Sequence, residues 1–451
     1  RPIYGLPIRT YVRIMVDRGR CDALDYQYEP HGVFFLIDSR SFYASTECVA
    51  RDLHPLKVAL VVMSEQENTN GGLILATSPK AKRMYHLQAN VSRQRDLPQD
   101  EQLIVVPPRM NMYIQKNLQI NQIFQRYTAP ADIWPYSIDE AILNLTHSWR
   151  LSGQSPWDVA RKIQLTIHEE TGIYTTVGIG NNPLQAKIAL DIYAKHNHDN
   201  IAEINYQNVP QRLWTITNME DVWSIGHRTA NHLRKIGINN IWDLAHANPY
   251  ALRAEFGLVG EQLFALAWGI DRAHPGQVEP PKSPSISNSQ VLPRDEIRLV
   301  VKEIGEQVAA RLRHRHLQCT KVSLSIGFNY ASASVANRGG FGAEVTVSAT
   351  NSNHDIIAAL LRIFDHYWTG EGVRNIAVSC GHLGNDSGQQ LELFHPLQQQ
   401  IRDNTLERTV DTIRSRFGFT ALVYAKSKLT GGTAINRAGL VGGHNGGNSY
   451  E

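Results

Sequence analysis

Ser137-Ile138-Asp139-Glu140-Ala141-Ile142-Leu143-Asn144-Leu145 sets two adjacent carboxylates directly before an apolar run. A third, Asp38, ends the run Val33-Phe34-Phe35-Leu36-Ile37 and leads into Ser39-Arg40-Ser41-Phe42-Tyr43. Paired as neighbouring strands, the two runs bring three acids to one end of a sheet. Hard oxygen ligands in that number suit Mg²⁺, and a pair of such ions assembles a phosphoryl-transfer site. Taken singly, an Asp-Glu pair reads as a solvated turn and Asp38 as a helix N-cap. Their combination points to chemistry.

At 451 residues the chain is too long for one core, and length suggests about three domains. Its 42% hydrophobic and 19% charged residues are ordinary for a globular protein, and no apolar segment approaches the ~20 residues that span a bilayer. Arg1 to Pro30 lacks a signal-peptide core. The chain opens on Arg1, as a trimmed chain or fragment would. Cys21, Cys48, Cys319 and Cys380 are scattered without CxxC spacing, which favours reduced thiols over a zinc site or disulfide framework. A net charge of +3 is too small to argue nucleic-acid binding. Local clusters say more: Arg311, Arg313, Arg315 and Lys321, with His314 and His316, form a basic knot. Arg402, Arg408, Arg414, Arg416, Lys426, Lys428 and Arg437 follow in the C-terminal part.

Strands are expected at Val33–Ile37, Val58–Met63, Leu73–Ala76, Leu103–Val106, Ala141–Leu145 and Thr175–Ile179, with helices at Ser41–Ala50, Asn111–Tyr127 and Trp157–Thr171. The alternation indicates an α/β or α+β domain to about residue 215. From Asn218 to Gly269 the pattern is helical. Val222-Trp223-Ser224-Ile225-Gly226-His227-Arg228, then Leu233–Ile236 and Gly237-Ile238, read as a helix–hairpin–helix. There Gly226 lets the backbone approach a phosphate and helix-start N–H groups contact it. Ser224 stands where such hairpins often carry a first glycine. Val278-Glu279-Pro280-Pro281-Lys282-Ser283-Pro284 is an extended linker. Beyond it, Thr320–Asn329 alternates: Val322, Leu324, Ile326 and Phe328 share a face that packs on helices. Lys321, Ser323, Ser325 and Asn329 share an open face suited to a polyanion or simply to solvent. Much of Gly442–Glu451 is expected to be disordered.

Several ordered motifs resemble those of Y-family DNA polymerases. Ile37-Asp38-x-x-x-Phe42-Tyr43-Ala44-Ser45-x-Glu47, with Ala76-Thr77-Ser78-Pro79-Lys80-Ala81-Lys82, is similar to the family's start. Ser137–Ala141 is similar to its second metal motif, and Val177-Gly178-Ile179-Gly180-Asn181-Asn182-x-Leu184-x-Ala186-Lys187-Ile188-Ala189-x-Asp191 to a third. The resemblance spans roughly Val33 to Gly439 and is greatest to the UmuC branch, including the UV-damage repair proteins of Gram-positive bacteria.

That resemblance implies a multidomain α+β right-hand polymerase with a ferredoxin-like palm, small fingers, a helix–hairpin–helix thumb and an α/β little finger. The expected boundaries are an N-terminal extension (1–30), palm (31–217) with inserted fingers (about 46–108), thumb (218–277), linker (278–285), little finger (286–398) and a basic, partly disordered tail (399–451). Asp38, Asp139 and Glu140, completed by the Ser39 carbonyl, would hold two Mg²⁺ ions. Phe42, Tyr43, Ser78, Lys82 and Lys187 would contact the nucleotide, Tyr43 as the steric gate against a ribose 2′-hydroxyl. Lys187, Asp191 and Lys195 share a helix face by i,i+4 spacing. Arg40 stands where an acid or asparagine is common, and Pro79 where some relatives have a tyrosine. Gly226, His227 and Arg228 would join the basic knot in binding DNA. Gln390-Leu391-Glu392-Leu393-Phe394 is similar to the peptide by which bacterial polymerases bind the sliding clamp; Gln390, Leu391, Leu393 and Phe394 would make the contacts.

The expected activity is translesion DNA synthesis in the SOS response to damage, on primed template DNA with dNTPs, and without proofreading. The protein would be cytoplasmic and nucleoid-associated when bound to DNA, with UmuD-like subunits as further partners and no membrane. A catalytically silent DNA- and clamp-binding factor is the alternative. A palm-type nucleotidyl cyclase is opposed by the helix–hairpin–helix and the clamp-like peptide.

Overall fold

Phe35 and Ile37 alternate with Leu36 along one strand, yet all three are buried. A strand that is apolar on both sides needs cover on both, and the computed structural model supplies it. It describes residues 14–17, 20–64, 72–276, 284–291, 297–386, 388, 397–441 and 444–445.

A hairpin, β1 (Ile14–Asp17) and β2 (Arg20–Leu24), leads to β3 (Phe34–Ser39) and α1 (Phe42–Val49). A small sheet follows from β4 (Leu60–Met63), β5 (Ile74–Thr77) and β6 (Ile104–Val106), with α2 (Pro79–Tyr85) after β5. Its order is β5-β4-β6, with β4 antiparallel to β5 and parallel to β6. The chain returns through α3 (Met110–Phe124), β7 (Ile133–Pro135), β8 (Glu140–Asn144), a short α4 (Trp149–Ser152), α5 (Pro156–Thr171), β9 (Thr175–Gly180), α6 (Pro183–Ile188) and β10 (Ile201–Ile204).

The main sheet runs β10-β9-β3-β8-β7. Phe35 and Ile37 pack with Phe124, Ile163 and Ile167 of α3 and α5, whereas Leu36 packs with Ala186 of α6. The glycines of β9 set the spacing on the α6 side. A Cβ on Gly178 would lie 2.0 Å from the Ala186 carbonyl oxygen, and one on Gly180 2.5 Å from the Ala186 nitrogen. Only hydrogen at these positions lets α6 lie flat on the strand. Beyond α6 the chain makes a π-helical turn, Ala189–Tyr193, of the kind often found at functional sites.

A helical unit follows: α7 (Val209–Arg212), α8 (His227–Lys235), α9 (Ile241–Ala245), α10 (Pro249–Phe256) and α11 (Leu258–Ala267), closed around Leu233, Leu244, Leu263 and Trp268. Past the linker, β11 (Ser285–Val291), α12 (Ile297–His314), β12 (Leu317–Phe328), α13 (Tyr330–Ala336), β13 (Gly340–Thr350), α14 (Asn353–Tyr367) and β14 (Val373–Asn385) build a sheet of order β11-β14-β12-β13. Val322, Leu324, Ile326 and Phe328 pack beneath it with Val308 of α12 and Leu360 of α14. The opposite face keeps small residues in register, Ser287 and Ser323 both opposite Ser379, and Ser325 opposite Ala377 and Gly342.

Residues 397–441, the greater part of the basic tail, form α15 (Leu397–Phe417), two 3₁₀ turns and α16 (Ala434–Ala438) against the helical back of this unit. Buried charges join them. Arg313 Nη1 donates to Glu407 Oε2 at 2.9 Å and Nε to Asp411 Oδ2 at 2.6 Å. Lys426 pairs with Glu306, and Glu303 Oε2 accepts from the Thr433 and Ala434 nitrogens. The linker core (277–283), the clamp-like peptide (390–394) and residues 446–451 lie outside the described residues.

Candidate active site

The two apolar runs are neighbours, as expected. β3 and β8 pair antiparallel with Asp38 opposite Glu140, and Ser39 N donates to the Asp139 carbonyl at 2.8 Å. Strand direction thus puts Asp38 of β3, Glu140 of β8 and Asp139 just before it at one sheet end. Ser137 shapes the turn: its Oγ donates to Asp139 Oδ1 at 2.6 Å and accepts from Glu140 N at 3.0 Å. Burial, joined by Asp139 and Glu140, pushes the Asp38 carboxyl up to about 6 against the pull of Lys195.

Two lysines answer these acids. Lys187 Nζ donates to Glu140 Oε1 at 2.7 Å and lies 3.2 Å from Asp191 Oδ2. Lys195 Nζ lies 2.9 Å from Asp191 Oδ1 and 3.4 Å from Asp38 Oδ2. Burial disfavours the Lys195 charge, but Asp38 and Asp191 hold its ammonium above the usual lysine range. The row Lys187–Asp191–Lys195 is therefore laid across the acids. Among the described residues no three His, Cys, Asp or Glu side chains are drawn together tightly enough to ligate a metal as they stand. Yet a like-charged, oxygen-only donor set, balanced by the Lys187 and Lys195 ammonium groups, has the chemistry of a hard divalent cation site. The residues fit Mg²⁺.

Tyr43 is half-buried, and its ring stacks on Tyr113 with centroids 4.4 Å apart and planes 15° from parallel. Tyr113, from α3, donates to buried Glu47 at 2.7 Å. Burial opposes Glu47 ionisation, but Arg109, Tyr113 and Arg51 hold it below the usual carboxylate range. The Tyr43 ring thus rests on a braced platform that local sequence did not reveal; only a fold bringing Tyr113 under α1 does so.

Other expected site residues fall differently. Lys82 is exposed on α2. Ser78 is fully buried and is no nucleotide contact by its side chain: its Oγ donates to the Val58 carbonyl, accepts from Leu60 N and caps α2 at Ala81 N. Pro79 is the first residue of that helix, where its missing N–H costs nothing. The Phe42 ring is buried in the core, so it offers the nucleotide no side-chain contact either. Arg40 turns to Asn200, 3.2 Å away.

On the helical unit, Gly226 caps α8, and a Cβ there would meet nothing within 4 Å. His227 and Arg228 are exposed, with His227 Nδ1 3.1 Å from Glu220. Ser224 takes φ 76, the left-handed region that favours glycine. The basic knot does not hold together as a surface. Arg311 and Arg315 are exposed, and Lys321 pairs with Glu344 at 2.6 Å. Arg313 is buried among Glu407, Asp411 and Asn353. It is a structural counter-ion, not a DNA contact.

Residues 37–191 match the model of the impB/mucB/samB family, and residues 283–393 match that family's C-terminal domain. UvrX of Bacillus subtilis (strain 168), a protein named for UV-damage repair, is 34% identical over 427 residues, covering 93% of this chain and 99% of that one. DNA polymerase IV 2 of the same organism is 34% identical over 424 residues, 91% of this chain and 98% of that one. DNA polymerase IV of Moorella thermoacetica is 31% identical over 408 residues, 88% and 96%. Among solved structures, a Dbh–Dpo4–Dbh chimera of Y-family DNA polymerases superposes with a TM-score of 0.61 at 20% identity, covering 78% of this chain and 98% of that one. The last similarity is one of fold.

Proposed function

The chain belongs to the impB/mucB/samB family and is a UvrX-like Y-family DNA polymerase; from that premise we propose that it performs translesion synthesis by two-metal nucleotidyl transfer at the Asp38–Glu140 end of its palm. The observation that carries this reading is the antiparallel pairing of Asp38 with Glu140, beside Asp139, in a chain of this family.

Asp38, Asp139, Glu140 and the Ser39 carbonyl would hold the metal ions. Mg²⁺ held there would supply Lewis-acid activation of the primer 3′-hydroxyl and charge neutralisation for the leaving pyrophosphate. Lys187, released from Glu140, would turn its ammonium to the triphosphate, with Lys82 as a second cation from the fingers. The Tyr43 ring would meet a ribose 2′-hydroxyl and so favour deoxynucleotides. DNA would be held by the Gly226–Arg228 turn and by the open face of the little-finger sheet, where the serines and glycines around Ser325 and Ser379 would permit close approach of a backbone beside the Lys321–Glu344 pair. Clamp binding through Gln390, Leu391, Leu393 and Phe394, and any UmuD-like partner, rest on sequence alone.

Primer extension with Mg²⁺ and four dNTPs tests the reading, with wild type and Asp139→Ala compared on undamaged, abasic and thymine-dimer templates. Extension lost in the variant, with DNA binding kept, supports it. A folded wild type that binds primed DNA but never extends it, even with clamp and accessory subunits, is a silent binding factor instead.

A further inference from the structure

One stripe of α3 touches both the Tyr43 ring and the loop that carries the acids. Arg109 at the start of the helix, then Tyr113, Asn117 and Asn121, follow at i,i+4 spacing and so share a face. Arg109 and Tyr113 donate to Glu47, and Tyr113 lies under the Tyr43 ring. One turn further on, Asn117 Nδ2 donates to the Ile138 carbonyl at 2.8 Å.

That carbonyl belongs to the same planar peptide as the Asp139 N–H. The other end of the plane is held as well, since Asp139 N donates to Ser137 Oγ at 3.3 Å. The next peptide plane is pinned in the same way. Its Asp139 carbonyl accepts from Ser39 N at 2.8 Å, and its Glu140 N donates to Ser137 Oγ at 3.0 Å. With both flanking planes held, the two soft dihedrals of Asp139 are fixed, and with them the direction of its side chain. Three of these four bonds come from Ser39 and Ser137, beside the acids in sequence. The fourth reaches across from α3.

Asn121 sets the direction of the Asn117 amide. Its Nδ2 donates to the Asn117 carbonyl at 2.9 Å and to Asn117 Oδ1 at 3.1 Å, which leaves Asn117 Nδ2 to face Ile138. Asn121 Oδ1 is buried without a hydrogen-bond partner. An unpaired buried acceptor destabilises the fold, so packing alone does not account for an amide at this position.

We propose that Asn117, oriented by Asn121, is a positioning residue for Asp139, holding its carboxylate where Asp38 and Glu140 can share metal ions with it. The inference rests on the polymerase reading and deepens it, because it takes Asp139 as a metal ligand.

Two variants test it. Asn117→Leu keeps the size of the side chain and removes the donor, whereas Asn121→Ala keeps the donor and frees its orientation. Single-nucleotide incorporation on primed DNA is measured for both, together with Mn²⁺ binding to the free protein, read by electron paramagnetic resonance. Asn117→Leu should lower kcat and Mn²⁺ affinity by about 10–100-fold each, the range for groups that orient a metal ligand. The dNTP KM and the preference for deoxynucleotides should stay within about twofold of wild type, since Tyr113 supports Tyr43 separately. Asn121→Ala should show the same pattern more weakly, and it carries the test if Asn117→Leu folds poorly. Variants that melt earlier yet keep kcat and Mn²⁺ affinity make the stripe a packing feature and overturn the proposal. A loss of sugar preference as large as the loss of kcat means that α3 itself has shifted, which overturns it too. A wild type that binds Mn²⁺ but never extends a primer counts against the polymerase reading, while the Mn²⁺ comparison still decides the role of Asn117.

Discussion

Lys195 Nζ stands 3.4 Å from Asp38 Oδ2, so a side chain from beyond the π-helical turn is the cationic cover of an acid at a strand end. Without it, Asp38 would face Asp139 and Glu140 with one fewer compensating charge. Lys195→Met should lower stability in EDTA by roughly 1 kcal/mol, discounted for the solvent that screens this one-third-exposed lysine. Mg²⁺ should then raise the melting temperature of the variant more than that of wild type, since a ligand that binds only the folded state stabilises it. Melting curves with and without Mg²⁺ decide; equal metal responses would show that Lys195 and the ion do not compete for the same acids.

The Tyr43–Tyr113 stack separates two roles. Tyr43→Ala should raise ribonucleotide use relative to deoxynucleotide use on the order of a hundredfold, read from single-nucleotide incorporation. Tyr113→Phe keeps the ring under Tyr43 but leaves buried Glu47 short of a donor, costing about 1–3 kcal/mol in urea unfolding with sugar selection intact. Unaltered sugar selection in Tyr43→Ala would remove the gate assignment.

Two glycines should answer oppositely to the same added methyl. Gly178→Ala drives a Cβ into the α6 backbone, so the expected cost exceeds about 3 kcal/mol, and the α6 helix that carries Lys187 is displaced. Gly226→Ala meets open space and should fold normally, but bind primed DNA more weakly if a phosphate comes close there. Circular dichroism melts and anisotropy titrations check both. Normal DNA affinity in Gly226→Ala would take the hairpin out of the DNA interface.

The docked tail should sense pH. Burial pushes the Glu407 carboxyl up to about 7 against the pull of Arg313 and a hydrogen bond from Asn353 N, with Asp411 and Asp355 as further acids facing it. The folded value lies above the ordinary 4.5, so this contribution is full below about 4.5 and is lost as pH rises through about 7. The integrated effect is roughly 2–3 kcal/mol. Hydrogen exchange along α15 should be slower at pH 5 than at pH 8 after correction for intrinsic rates, and Glu407→Gln should flatten the difference. A slope that survives the substitution would place its origin elsewhere.

The palm was legible because its strands are short apolar runs bounded by polar residues. The expected strands at 33–37 and 141–145 fall within two residues of β3 and β8 at either end, and their pairing follows from where the acids must meet. Spacing also put Lys187, Asp191 and Lys195 on one face, though not onto the acids themselves, because the approach depends on two glycines of a neighbouring strand. Arg313 and Ser78 were misread for a common reason: residue type reports charge and polarity, while burial depends on partners far away in the chain. Glu407 is 94 positions from Arg313, and Val58 is 20 from Ser78. Lys426 and Arg437 of the tail likewise meet acids far away in the chain, Glu306 and Glu303 of α12.

Those acids, with Arg313, make the back of α12 dependent on the tail. Cut away residues 397–441, and Glu303, Glu306 and Arg313 lose their ion-pair partners together. Loss of the extension alone would leave two acids and a guanidinium on α12 without their opposite charges. Polymerases of this family that end earlier should therefore carry apolar or exchanged residues at those places. The presence of a tail can then be read in an incomplete gene whose 3′ end has not been sequenced.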